Sequence, residues 1–161
     1  MGRIEEECLA LLCARGRMLA AAESCTGGLI AKRLTDVPGA SQAFCGGVVS
    51  YTNAVKEAVL GVAHETLARY GPVSESVARA MAEGARRITG AALGVSVTGV
   101  AGPTSDERGN PVGTVYIAVA ADGETRCRRF DYGARSRDEI RAAAADDALA
   151  LACAYLQEMS V

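Results

Sequence analysis

The sequence predicts an α/β fold: a three-layer α/β/α sandwich around a mixed, mostly parallel sheet of about five strands. Two observations carry this. Helical patterns separate the early apolar strand segments at 18–22, 44–50 and 93–98, as crossover connections between parallel strands require. Late in the chain, segments 112–121 and 125–132 flank Asp122-Gly123, a strong two-residue hairpin signal that adds an antiparallel strand. At 161 residues the chain suits one domain that buries roughly 70% of its unfolded surface, and no linker, repeat or low-complexity segment interrupts it.

In order, Ile4, Cys8, Leu11 and Leu12 share one helical face, and Gly16 ends that helix. Residues 18–22 form a short buried strand. A second helix spans 29–35 and closes at Asp36-Val37-Pro38-Gly39. The next strand, 44–50, carries Gly46-Gly47, which allows close backbone approach. It turns into a helix running to about Leu60, with Thr52 or Asn53 as N-cap.

A short helix follows at 65–69 and ends at Gly71-Pro72. Ser74 caps a helix whose Val77, Met81, Ala85 and Ile88 form a stripe. Strand 93–98 ends in small residues at Gly99-Val100-Ala101-Gly102-Pro103, and a polar loop runs to Asn110. After the hairpin, a helix from about Asp138 to the chain end places Ile140, Ala144, Ala148, Leu151, Tyr155 and Met159 on one stripe.

Three strands thus end in polar or glycine-rich turns, at Ser24, Tyr51 and Thr98. In open α/β sheets ligands bind outside the carboxyl ends of the parallel strands, so these turns should meet at one edge. The run Glu23-Ser24-Cys25-Thr26-Gly27-Gly28 gathers hydroxyls and backbone N–H groups at a helix start, which suits an oxyanion or a phosphate. A serine N-cap followed by glycines for close packing explains the same residues.

Ser24 as a nucleophile needs a base. The single histidine, His64, lies between two helices and reads as a surface or capping residue. Lys56 lies one turn into the helix after Tyr51, and a lysine made neutral by burial can deprotonate serine. On spacing alone, an exposed helix cation is the simpler reading of Lys56. Cys25 is a rival nucleophile, but a cysteine hydrolase wants a histidine, and none is suitably placed.

Composition removes several classes. Net charge is −2, no basic run occurs, and two Phe, five Tyr and no Trp offer little base stacking, so no nucleic-acid partner is expected. Six scattered cysteines (8, 13, 25, 45, 127 and 153), no C-x-x-C pair and one His suit neither a zinc site nor a secreted disulfide framework. Catalysis without metal or cofactor is expected. Glu5-Glu6-Glu7 stands where a signal peptide would be positive, and no apolar run approaches 18 residues. The expectation is a soluble, cytoplasmic protein with no membrane partner, whose apolar faces leave room for a homodimer.

Several motifs, taken together, resemble the CinA C-terminal domain family, which includes nicotinamide mononucleotide (NMN) deamidases. They are 22–28, 37–41, 47–53 with Lys56, 71–74, 98–103 and 111–115, in order along the chain. The resemblance implies one stand-alone domain over 1–161 that hydrolyses the carboxamide of NMN, a pyridine mononucleotide, to nicotinic acid mononucleotide and ammonia. Carried over, Ser24 is the nucleophile, Lys56 the base and Tyr51 the helper. Thr98 matches a hydroxyl residue of the family's pocket. Thr26 and Gly27 would offer oxyanion donors, and Gly28, Asn53, Gly99, Ala101 and Gly102 complete the expected substrate-binding set. Arg137 and Arg141 align with family arginines, with Arg135 as a rival.

Thr104-Ser105-Asp106-Glu107 departs from the family's glycine-rich pattern and does not favour a phosphate. A silent nucleotide-binding domain and an amidase for another carboxamide therefore remain alternatives. Many family members carry a further N-terminal nucleotide-hydrolysing domain, for which this chain has no room, so that activity is not expected of it.

Overall fold

The computed structural model describes residues 2–159. Five strands form one sheet in the order β2-β1-β3-β4-β5. They are β1 (Leu19–Glu23), β2 (Phe44–Val49), β3 (Leu93–Gly99), β4 (Thr114–Ala121) and β5 (Glu124–Asp131). β1 runs parallel to both β2 and β3, while β4 is antiparallel to β3 and to β5. The junctions are thus evenly divided, and β4 is the strand that runs against the other four.

Six helices cover the sheet: α1 (Ile4–Ala14), α2 (Leu29–Thr35), α3 (Asn53–Ala58), α4 (His64–Tyr70), α5 (Glu75–Thr89) and α6 (Arg137–Glu158). The central strands are buried on both faces, and the period-2 alternation of strands sorts their side chains. Leu19, Ala21, Val95, Val97, Val115, Ile117 and Val119 pack towards α1, α2 and α6. Ala20, Ala22, Ala118 and Ala120 face α5 and the α4 side. At these positions the strands present only small side chains, against which Leu60, Leu67, Val77 and Met81 pack, and α5 approaches closely through Ala78 and Ala82. A Cβ on Gly84 would strike the Leu60 carbonyl, and one on Gly94 the Ala82 carbonyl.

Some local expectations shift. A 3-10 turn at Ala40–Gln42 precedes β2. Thr52 is the N-cap of α3, its Oγ1 accepting from the Val55 N–H, and α3 stops at Ala58, short of Leu60. Val112 lies outside β4, because the N–H groups of Gly113 and Thr114 turn back onto the carbonyls of Val100 and Pro111. Ile88, on the expected apolar stripe of α5, is exposed in its last turn. Ser136 caps α6 in a capping box with Glu139. α6 stops at Glu158, with Met159 in extended backbone as its C-cap, short of the expected run to the chain end; residues 160–161 lie outside the described residues. Among the described residues no helix is long and apolar enough to cross a membrane.

The register then places the site. Glu23 pairs with Val49 on one side and Val97 on the other. Ser24, Ser50 and Thr98 therefore emerge side by side at the carboxyl ends of three parallel strands.

Candidate active site

Ser24 is held on all sides. Its N–H donates to the Val97 carbonyl at 2.9 Å, and its own carbonyl accepts from Gly27 N–H at 3.1 Å. The turn reverses through Gly27 (φ 59°) and Gly28 (φ 105°), left-handed values that favour glycine. α2 follows at once.

Lys56 reaches this turn from α3. Its Nζ lies 3.0 Å from Ser24 Oγ, 2.8 Å from the Ser50 carbonyl and 3.4 Å from the Tyr51 carbonyl. The residue is 1% exposed, so the exposed-cation reading fails. Burial pushes the amine down to about 8. Among the described residues no carboxylate is one of its hydrogen-bond partners. Two carbonyls and one hydroxyl accept the three N–H groups of the ammonium, and once the amine is neutral two N–H groups still serve the carbonyls while the lone pair faces Ser24 Oγ.

Cys25 packs into the α6-side core while bordering the cavity, and burial pushes its thiol up to about 12. It is a protonated packing residue at neutral pH.

A cavity of about 350 Å³ opens in front of Ser24 and Lys56. Tyr51, Asn53, Thr98, Gly99, Ala101, Gly102 and Arg137 line it, together with Pro72, Val73, Val100, Thr104 and Asp106. Tyr51 is more than half exposed on the rim, and its hydroxyl accepts from Arg137 at 2.8 Å. Its hydrogen bond with Lys56 is made by its carbonyl, not by its hydroxyl. Thr98 Oγ1 donates to the Pro72 carbonyl at 2.7 Å, which fixes the segment leading into α5.

Other sequence candidates stand outside the cavity lining. Thr26, Gly27 and Gly28 lie behind Ser24 in the turn. Gly27 N–H is already committed to Ser24, whereas among the described residues the Cys25 and Thr26 N–H groups have no backbone acceptor. Arg141 donates Nε to the Cys25 carbonyl at 3.0 Å and a terminal nitrogen to the Thr26 carbonyl at 3.1 Å. Arg135 sits over the Tyr132 ring. His64 is exposed, with Nδ1 2.6 Å from Glu57 Oε1, and borders a neighbouring cavity of about 600 Å³. The two cavities share Asn53, Pro72 and Asp106.

Sequence reasoning missed Glu23. Its carboxylate, 1% exposed, accepts from the N–H groups of Ile30 and Ala31 at 2.9 and 3.0 Å. The positive end of α2 is thus occupied by a buried anion and is not free for an oxyanion or a phosphate. The only cue was a glutamate closing an otherwise small-residue strand. Asp106 was legible as an acid but not as an organiser. It accepts from the N–H groups of Arg108 and Asn110 and from Asn110 Nδ2, so it folds the loop on itself. Arg108 then ties that loop to the Ala68 and Arg69 carbonyls at the end of α4. Among the described residues no group of three or more His, Cys, Asp or Glu side chains could share a metal ion.

The model of the CinA C-terminal domain matches residues 2–156. The chain is 53% identical over 148 residues to a CinA-like protein of Anaeromyxobacter sp. strain K, covering 92% of this chain and 36% of that protein. It spans about a third of the length of the curated relatives it matches. A competence/damage inducible protein of Agrobacterium tumefaciens superposes with a TM-score of 0.90 at 40% identity, covering 98% of this chain and 97% of that one. A CinA superfamily protein of Klebsiella pneumoniae gives 0.93 at 32% identity, over 98% and 100% of the two chains. The strand-end site thus sits within a match that runs nearly the whole length of the chain, in sequence and in structure, and the chain belongs to the CinA C-terminal domain family.

Proposed function

We propose that this domain is an amidohydrolase of Ser/Lys type that converts NMN to nicotinic acid mononucleotide and ammonia. The observation that carries the proposal is the buried Lys56 amine, lowered to about 8 and 3.0 Å from Ser24 Oγ. The sequence resemblance supports the substrate.

In this reading Lys56 Nζ accepts the Ser24 proton as Oγ bonds to the carboxamide carbon. The carbonyl oxygen becomes an oxyanion, with the Cys25 and Thr26 N–H groups as its nearest uncommitted donors in the turn. The lysine ammonium then protonates the amide nitrogen, the C–N bond breaks and ammonia leaves. Water attacks the acyl-enzyme and gives its proton to Lys56. Collapse of the second tetrahedral intermediate returns that proton to Ser24 Oγ and releases the pyridine carboxylate. Arg137, on the cavity rim, is the cation for the phosphate.

Asp106 on the cavity wall favours a second reading, a related amidase whose carboxamide substrate carries no phosphate. Ammonia release from NMN, nicotinamide and nicotinamide riboside separates the two. The proposal expects turnover of NMN alone. Turnover of the phosphate-free amides with NMN untouched would establish the second reading, and no ammonia from any of them would leave a binding domain.

A further inference from the structure

Four backbone groups around the Ser24 turn are held by two charged side chains from opposite directions. The Glu23 carboxylate takes the amides of Ile30 and Ala31 on the far side of the turn. The Arg141 guanidinium, from the first turns of α6, takes the carbonyls of Cys25 and Thr26 inside it. We infer that Glu23 and Arg141 form a clamp on the nucleophile turn and are positioning residues for Ser24, rather than substrate contacts.

Three features of the geometry support the inference. Gly28, the N-cap of α2, has no side chain to supply, so the helix takes its cap from a residue preceding the turn. Both partners are charge-assisted and bidentate, the class of hydrogen bond that fixes orientation best. A Cβ on Gly27 would lie 3.1 Å from the Arg141 terminal nitrogen, so the turn and the guanidinium are packed against each other. Ser24 is at the centre of what they hold. A small displacement of its Oγ from Lys56 lengthens the one contact through which its proton moves.

This inference rests on the reading of Ser24 as nucleophile, so its test has an arm independent of substrate. Hydrogen exchange across residues 24–31 is compared in wild type, Glu23→Gln and Arg141→Ala, alongside NMN kinetics and the rate at which a fluorophosphonate labels Ser24. Arg141 is partly buried and outside the apolar core, so its truncation leaves that core intact, and Glu23→Gln keeps the shape of a buried side chain. The clamp predicts faster exchange confined to the turn and the start of α2. It also predicts kcat and labelling rate lower by about 100-fold with KM nearly unchanged. Arg141→Lys should recover part of the loss.

If Arg141→Ala raises KM for NMN and leaves kcat intact, Arg141 is a substrate contact and the inference is overturned. Unchanged exchange in both variants overturns it as well. Should wild type release no ammonia from NMN, the substrate reading fails by itself, and exchange with labelling still decides the clamp.

Discussion

The Arg137 guanidinium bridges the mouth of the cavity, donating to the Tyr51 hydroxyl at 2.8 Å and to the Gly102 carbonyl at 2.6 Å. It joins the loop after β3 to the loop after β2 and leaves the cation facing the opening. Removing one charge-assisted hydrogen bond costs about 1.5–3 kcal/mol. Arg137→Ala should therefore raise KM for NMN by roughly 10- to 100-fold, with a smaller effect on kcat. Tyr51→Phe should show a milder version of the same change. Unaltered KM in steady-state assays of Arg137→Ala would move the phosphate elsewhere.

Ser24→Ala and Lys56→Ala should each lower turnover by roughly 1000-fold or more while circular dichroism stays native. Lys56→Arg should be equally poor, because a guanidinium stays protonated. Cys25→Ala should keep most of its activity, since burial holds that thiol protonated up to about 12. An inactive Cys25→Ala beside an active Ser24→Ala would replace the serine mechanism with a thiol one.

Activity should rise with pH. The active form has neutral Lys56, so kcat/KM climbs through about 8 and levels above it. Stability follows the same group. Its folded pKa lies below the ordinary 10.5, so between about 8 and 10.5 the unfolded chain binds more protons and stability from this group increases with pH. Below that window the contribution is constant and lowest, so the thermal midpoint of wild type should rise from about pH 8 to 10 relative to that of Lys56→Met, which lacks the titrating group. A pH–rate profile that falls from pH 7 to 9 would contradict the assignment.

Exhaustive chelation should leave activity intact, because every proton transfer in the proposed cycle runs through Lys56 and no step requires a Lewis acid. Loss of turnover that a divalent ion restores would refute the Ser/Lys cycle as written.

Gly47→Ala should destabilise the domain by about 1–3 kcal/mol. The added Cβ would lie 2.7 Å from the Ala21 carbonyl oxygen in the adjoining strand, where only backbone movement can relieve it. Urea denaturation measures the loss. A midpoint equal to that of wild type would mean the two strands part at no cost.

Local signals in the sequence reached far into this architecture. A run of small apolar residues marked β1, Asp122-Gly123 marked the hairpin, the pair Thr52-Asn53 announced the start of α3, and Ser74 that of α5. The meeting of the Ser24, Tyr51 and Thr98 turns followed from strand direction alone. What escaped depends on contacts between distant residues. Lys56 on a six-residue helix has the spacing of a surface cation, and its burial comes from packing against the ends of β1 and β2. Arg141 meets the turn from 115 residues away, so nothing near it in the chain distinguishes it from Arg137. Glu23 looked like the end of a strand because its partners lie beyond the turn it precedes.

Besides Ser24, the two groups that hold the Lys56 amine are both main-chain carbonyls, those of Ser50 and Tyr51. A carbonyl is present whatever side chain its residue carries. The amine is thus anchored by the course of the chain out of β2, and a substitution at Tyr51 changes the rim without removing the carbonyl that holds it. The side chain at position 51, which faces the opening, can therefore be exchanged with the lysine geometry kept. A change in chain length between β2 and α3 would carry the amine away from Ser24, so under the proposed mechanism an insertion or deletion there removes turnover.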